Sequence, residues 1–163
     1  MSATRRPRAR PQNKARTRGF ALAVQYGTRT RMVPSRRRLR DWAAAALETD
    51  AQVTLRLVGA REGRRLNREF RGRDYATNVL TFAYPELRPL AGDIVLCVPV
   101  IAREAREQGK ALDAHFAHLV VHGMLHLQGY DHERSTDAER MEGREAEIVA
   151  GLGYADPYAR RTA

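Results

Sequence analysis

The stretch HFAHLVVHGMLHLQGYDH, residues 115–132, holds every histidine of the chain, five in eighteen positions. Its apolar residues Phe116, Leu119, Val120, Met124 and Leu127 recur at the spacing of a helix that turns one face to a core. Gly129 stands where such a helix ends, because glycine takes the left-handed conformation just past a helix terminus at little cost. Asp113 is placed to cap its start. The stretch therefore predicts a core helix that stops and hands the chain to a loop, with imidazoles on both.

Working outward from it, the preceding segment opens with Pro99, tolerated in a first helical turn, and continues with Ile101, Ala105 and Gln108 in one register. After the loop, a last helix is expected from Ser135 or Thr136, where Thr136 and Glu139 have capping-box spacing. Its apolar stripe runs through Ala138, Met141, Ile148, Val149 and Leu152. Towards the N-terminus, FALAVQY (20–26), AQVTLRLV (51–58), NVLTFAY (78–84) and GDIVLCV (92–98) read as strands. A helix capped by Ser35, with Leu39, Trp42, Ala43, Ala46 and Leu47 on one stripe, separates the first two, so these two are expected to run parallel. A shorter helix around Glu62–Phe70 and the loop RGRDYAT (71–77) precede the third. The expected fold is one α+β domain, a mixed sheet of about four strands packed against about five helices, with a metal site on a helix and the following loop.

Bulk composition agrees with a single globular domain: 163 residues, 43% hydrophobic and 29% charged. No apolar run is long enough to span a bilayer, and the N-terminus lacks the apolar core of an export signal, so no membrane partner is expected. The lone cysteine, Cys97, excludes an internal disulfide and fits a reducing compartment; within IVLCV it reads as a buried small hydrophobe. The net charge of +10 is uneven. Residues 1–19 hold seven of the 29 basic residues and none of the 19 acids, leaving 22 against 19 for the rest. With two prolines and no core-forming aliphatics, this segment is expected to be a disordered basic tail. It either adds sequence-independent attraction to phosphates or is a solvated extension. The domain is expected over 20–158, with a short C-terminal tail over 159–163.

Positions i and i+4 of a helix lie one turn apart on one face, so His122 and His126 can reach one metal ion. The chain turns at Gly129 and delivers His132, completing H-x-x-x-H-x-x-G-x-x-H. Three neutral imidazoles suit zinc and leave a fourth position open, which marks a catalytic rather than a structural site. Nickel, cobalt or copper would also be held. This is the ligand spacing of the extended zincin peptidases, yet those carry Glu directly after the first histidine as general base. Here that residue is Gly123, so the peptidase chemistry does not follow. His118 lies one turn before His122 and reads as a neighbour that supports the site or packs the helix. His115, near the helix start, reads as solvated or capping. Asp131 either orients a ligand imidazole or serves the turn.

HGMLHLQGYDH (122–132) resembles the signature of the YbeY family of bacterial metal-dependent endoribonucleases. LNREFRGRDYATNVLTF (66–82) is similar to that family's L-N-x-x-[FY]-R-x-x-D-x-x-T-[DN]-V-L-[ST]-F, and GDIVLCV (92–98) and LGYADPY (152–158) also fit. The resemblance covers roughly residues 20–158. It implies that the zinc ligands are His122, His126 and His132, and that the family's important arginine is Arg71. Read alone, Arg71 with Arg73 beside it would be a solvated arginine of a basic loop. The resemblance makes it a catalytic candidate, with Arg73 as a further RNA contact. A guanidinium can bind two non-bridging phosphate oxygens where charge builds in the transition state.

The implied activity is single-strand-specific, zinc-dependent cleavage of RNA in the cytoplasm, late in small-subunit maturation. It would act in 16S ribosomal RNA 3′-end processing and in ribosome quality control. The implied partners are ribosomal RNA and the small subunit, with ribosomal proteins and an assembly GTPase as further candidates. Two other readings stand beside it: an assembly factor whose zinc is mainly structural, and a metallopeptidase with an unconventional base. The sequence leaves open whether water or the RNA 2′-OH attacks.

Overall fold

The computed structural model describes residues 19–159. The basic N-terminal segment, up to residue 18, and the last four residues lie outside the described residues. The described chain runs β1 (Phe20–Tyr26), α1 (Arg36–Ala45), β2 (Ala51–Val58), α2 (Ala60–Arg71), β3 (Val79–Tyr84), β4 (Leu90–Cys97), α3 (Val98–Gln108), α4 (Leu112–Leu127) and α5 (Ser135–Gly151). The sheet order is β1-β2-β4-β3. β1, β2 and β4 run parallel, and β3 closes the edge antiparallel to β4. The expected mixed four-stranded sheet with five helices is therefore what the chain forms. The four strands begin and end within two residues of the spans read from alternation.

Register decides which side chains meet. Val53 pairs with Leu22 and Gly92, and Leu55 with Val24 and Ile94. One sheet face thereby presents Val53, Leu55, Leu57, Ile94 and Leu96 to Leu39 and Trp42 of α1 and to Phe116, Val120 and Met124 of α4, all in one core cluster. The opposite face forms a smaller cluster of Val58, Leu80, Val95 and Cys97 with Val100. Cys97 is buried as expected, and burial raises the pKa of its thiol.

α4 is apolar nearly all round and lies against α1, α3, α5, β3 and β4, the pattern of a helix buried in the middle of a domain. Gly123 lets the helix lie close against the sheet. A Cβ there would come within 3.0 Å of Ile94 Cγ2.

The helix ends depart from expectation in three places. α4 starts at Leu112 with no side-chain cap, and Asp113 sits inside the first turn, ion-paired to Arg38 of α1. The carboxylate still lies in the first turn, at the positive end of the helix dipole. α5 starts at Ser135, with Arg134 as N-cap residue and no side-chain cap. Thr136 is therefore already helical and the capping box does not form. Gln108, placed in the core register, is exposed in the last turn of α3. Ser35 does cap α1, its Oγ accepting from Arg38 N at 3.2 Å.

Candidate metal centre and its surroundings

The C-terminal half of α4 and the turn after it carry the site. The helix stops at Gln128, and Gly129 takes φ +102°, the left-handed region that only glycine enters easily. The turn is then tied down. Gln128 Nε2 donates to Ala46 O at 2.8 Å, and its Oε1 accepts from Glu48 N at 2.6 Å. Tyr130 OH donates to Glu48 Oε1 at 2.9 Å. Asp131 Oδ1 accepts from the backbone N–H of His132 at 2.7 Å and of Glu133 at 3.3 Å. Asp131 thus serves the turn, and its charge also acts on His126, opposing the effect of burial on that ring.

These constraints bring His132 back beside the helix. Ring centroids lie 6.4 Å apart for His122 and His126, 5.7 Å for His122 and His132, and 6.0 Å for His126 and His132. Three rings sharing one zinc through bonds of about 2.0–2.1 Å would have centroids roughly 5 Å apart. The triangle therefore stands about an ångström wide. Correspondingly, no three His, Cys, Asp or Glu side chains among the described residues are closed into a metal-holding cluster. His132, exposed and on the turn, has the room to narrow it.

Donor chemistry gives a sharper test of fit than the spread of the rings. His126 Nδ1 lies 3.1 Å from the carbonyl of Tyr130. A carbonyl only accepts, so Nδ1 carries the proton and Nε2 keeps the lone pair a metal needs. Burial lowers the pKa of His126, against the opposing hydrogen bond to Tyr130, and so favours the neutral ring. His122 Nδ1 donates to Glu145 Oε1 at 2.5 Å, which fixes the same tautomer. Both rings meet the requirement that a ligating imidazole be held through its other nitrogen. The donor chemistry of these two rings fits a metal ion such as zinc.

Glu145 is the residue that the sequence reading missed. It is fully buried on α5 and receives His122, His118 Nε2 at 3.4 Å, and the Tyr158 hydroxyl. Burial alone would raise its pKa, but the hydrogen bonds from His118, His122 and Tyr158 outweigh it and lower it to about 2. Burial, then the adjacent carboxylate, raise the pKa of the Tyr158 hydroxyl, so it stays a donor. A signal was available: Met141, Glu145, Ile148 and Val149 follow helical spacing, and an acid in the middle of that apolar stripe has to face something polar. His118 touches the same carboxylate and Tyr158 OH at 3.1 Å, which places it next to the cluster, as its spacing suggested.

His115 is a correction. It is 3% exposed rather than solvated or capping, with Nε2 3.3 Å from Glu104 Oε1 of α3. The helix is covered on that side by α3, which the periodicity of α4 alone could not show. Arg71 is the last residue of α2, one position earlier than a loop residue, and is exposed with no ion pair among the described residues. Arg73 Nη1 donates to Tyr75 OH at 3.2 Å. The loop after Arg71 leads into β3, which lies against α4. Among the described residues, neither arginine is hydrogen-bonded or ion-paired to an imidazole.

A sequence model described as endoribonuclease YbeY matches residues 29–153. The chain belongs to this family. Proteins named endoribonuclease YbeY from Aromatoleum aromaticum strain EbN1 and Nitrosomonas europaea are 66% and 52% identical to it. The first match covers 86% of this chain and 93% of the relative, the second 97% and 94%. The solution structure of TM1509 from Thermotoga maritima superposes with a TM-score of 0.50 at 27% identity, over 85% of this chain and 99% of that one. The YbeY-family resemblance read from residues 66–82 and 122–132 is thus confirmed over most of the chain. None of its helices is long and apolar enough to cross a membrane, among the described residues.

Proposed function

We propose that this YbeY-family chain is a zinc-dependent endoribonuclease that cuts single-stranded regions of ribosomal RNA in the cytoplasm. We place it late in small-subunit maturation, at the 3′ end of 16S ribosomal RNA, and in ribosome quality control. The observation that carries the reading is the pairing of His122 and His126, each held through Nδ1 so that its Nε2 is free, with His132 delivered beside them by an anchored turn.

His122, His126 and His132 would hold the ion. A zinc ion there supplies Lewis acidity to a phosphoryl group and makes a nearby water easier to ionise. Glu145 fixes the tautomer and direction of His122. Arg71, exposed and without an ion pair among the described residues, is available to bind two non-bridging oxygens as charge builds on them. Gly123 weighs against peptide hydrolysis. Its buried position faces Ile94 and the sheet, so a general-base carboxylate at this point of the helix would point into the core.

The test compares wild type, His126→Ala and Arg71→Ala on structured and single-stranded ribosomal RNA, with zinc content measured in each. His126→Ala is expected to lose zinc and cleavage together, and Arg71→Ala to keep zinc and lose cleavage. Arg71→Lys should also be impaired, since an ammonium cannot replace the two-pronged guanidinium. Cleavage by zinc-loaded Arg71→Ala at the wild-type rate would remove Arg71 from the mechanism. If no variant cuts and all bind small-subunit precursors, the chain is an assembly factor. A 2′,3′-cyclic phosphate on the product would identify the RNA 2′-OH as the attacking group.

A further inference from the structure

α2 carries a feature the metal centre does not use. Arg61, Arg64, Arg65, Arg68 and Arg71 are all exposed and follow the spacing i, i+3, i+4, i+7, i+10, which confines them to an arc of about 120° along about 15 Å of helix. Few acids neutralise them. Asp74 accepts from Nε and Nη2 of Arg64 at 2.8 and 2.9 Å and lies 3.9 Å from Arg68. Glu62 is 3.9 Å from Arg65, but its hydrogen bonds, both 2.8 Å, go to Arg56. Arg61 and Arg71 have no ion pair among the described residues. Five like charges on one face repel each other, which a solvated surface avoids by alternating signs.

Beside the stripe lies a groove of about 830 Å³ between α2 and the open face of the sheet, lined in part by Arg65, Leu66, Phe70, Phe82 and Tyr84. Phe70 is 63% exposed and Tyr84 45%. Phe70 stands edge-on to Phe82 with centroids 5.1 Å apart. The two acids in the groove are engaged: Glu62 with Arg56, and Asp93 as acceptor from Tyr84 OH at 2.5 Å. A row of cations next to exposed aromatic rings is the combination that holds single-stranded nucleic acid, phosphates on the guanidiniums and bases on the ring faces.

We propose that α2 and this groove form a second RNA-binding surface, which holds the single strand flanking the scissile bond and leads it to Arg71 at the C-terminal end of the stripe. The inference rests on the endoribonuclease reading for its choice of ligand. An acidic protein would match the charge but has no use for the exposed rings.

The test measures binding of zinc-loaded protein to a 2′-O-methyl phosphorothioate single strand of about 16 nucleotides, between about 50 and 200 mM salt. Cleavage of the unmodified strand is followed in parallel. The triple variant Arg61→Gln/Arg65→Gln/Arg68→Gln should bind at least about tenfold more weakly, with its log K–log salt slope reduced by about 2. The corresponding triple Lys variant should keep the slope, which separates lost charge from lost fold. Phe70→Ala should weaken binding by a factor of about 5 to 100 with the slope unchanged. Equal binding by wild type and the triple Gln variant overturns the proposal. Retained RNA binding with lost binding to polyglutamate would assign the stripe to an acidic protein instead, and also overturns it. If the wild type binds through the stripe but does not cut, the surface stands and the endoribonuclease reading fails.

Discussion

Glu145 has no solvent and three donors, so its charge is sustained only by His118, His122 and Tyr158. Through Nδ1–H it also holds His122 in the tautomer that leaves the Nε2 lone pair free. Glu145→Gln keeps the shape and an acceptor oxygen but removes the charge. Zinc affinity is expected to fall about 10- to 100-fold, read by competition with a chromogenic chelator. Unchanged affinity would show that the carboxylate serves packing alone. At Gly123 the constraint is space. The nearest atoms of Ile94 lie 3.0–3.3 Å from a Cβ, and Ile94 is itself fully buried. Gly123→Glu should cost at least about 3 kcal/mol, from overpacking and a carboxylate with no partner in the core. Urea unfolding checks it, and a variant as stable as wild type would mean that the helix can lift off the sheet.

At the level of elements, α4 matters as much for what covers it as for what it carries. Its 16 residues include ten buried ones, and the neighbours on all sides turn a histidine-rich segment into fixed geometry. His115 shows the consequence. Burial lowers its pKa below the ordinary 6.5, with Glu104 opposing. The unfolded chain therefore binds a proton at this ring more readily than the folded one. Stability that His115 contributes is fully present above about pH 6.5 and is lost as pH falls through the folded-state pKa. His115→Gln should flatten the dependence of unfolding free energy on pH below 6.5, followed by denaturant titration at several pH values. An unchanged slope would place the acid sensitivity elsewhere. The helix ends teach a related point. Ser35 acts as the cap its position suggested, whereas Asp113 is drawn to Arg38 on a neighbouring helix. A capping motif is a local preference, and an ion pair between helices can override it.

For the whole molecule, the main core joins α1, α4, α5 and the sheet without needing the imidazoles of His122, His126 or His132. Chelation should consequently abolish RNA cleavage while leaving far-ultraviolet circular dichroism and cooperative unfolding in place. The loss of stability should be the binding term alone, about 2.7 kcal/mol at free zinc 100-fold above Kd. Collapse of the fold on chelation would instead make the zinc structural and favour the assembly-factor reading.

The sequence by itself determined the strands, the helices, the parallel pairing of β1 with β2 and the clustering of histidines at the end of one helix. Each of these follows from local periodicity or from residues close along the chain. Only the tertiary structure decided that Glu145, thirteen residues beyond His132, reaches back to His122, that α3 buries His115, and that Asp131 works in the turn. Those outcomes depend on how separate helices pack, and side-chain spacing within one helix carries no record of what another helix places opposite it. The arginines of α2 lie between the two cases. Their spacing put them on one face, but only the fold set exposed Phe70 and the open sheet beside them.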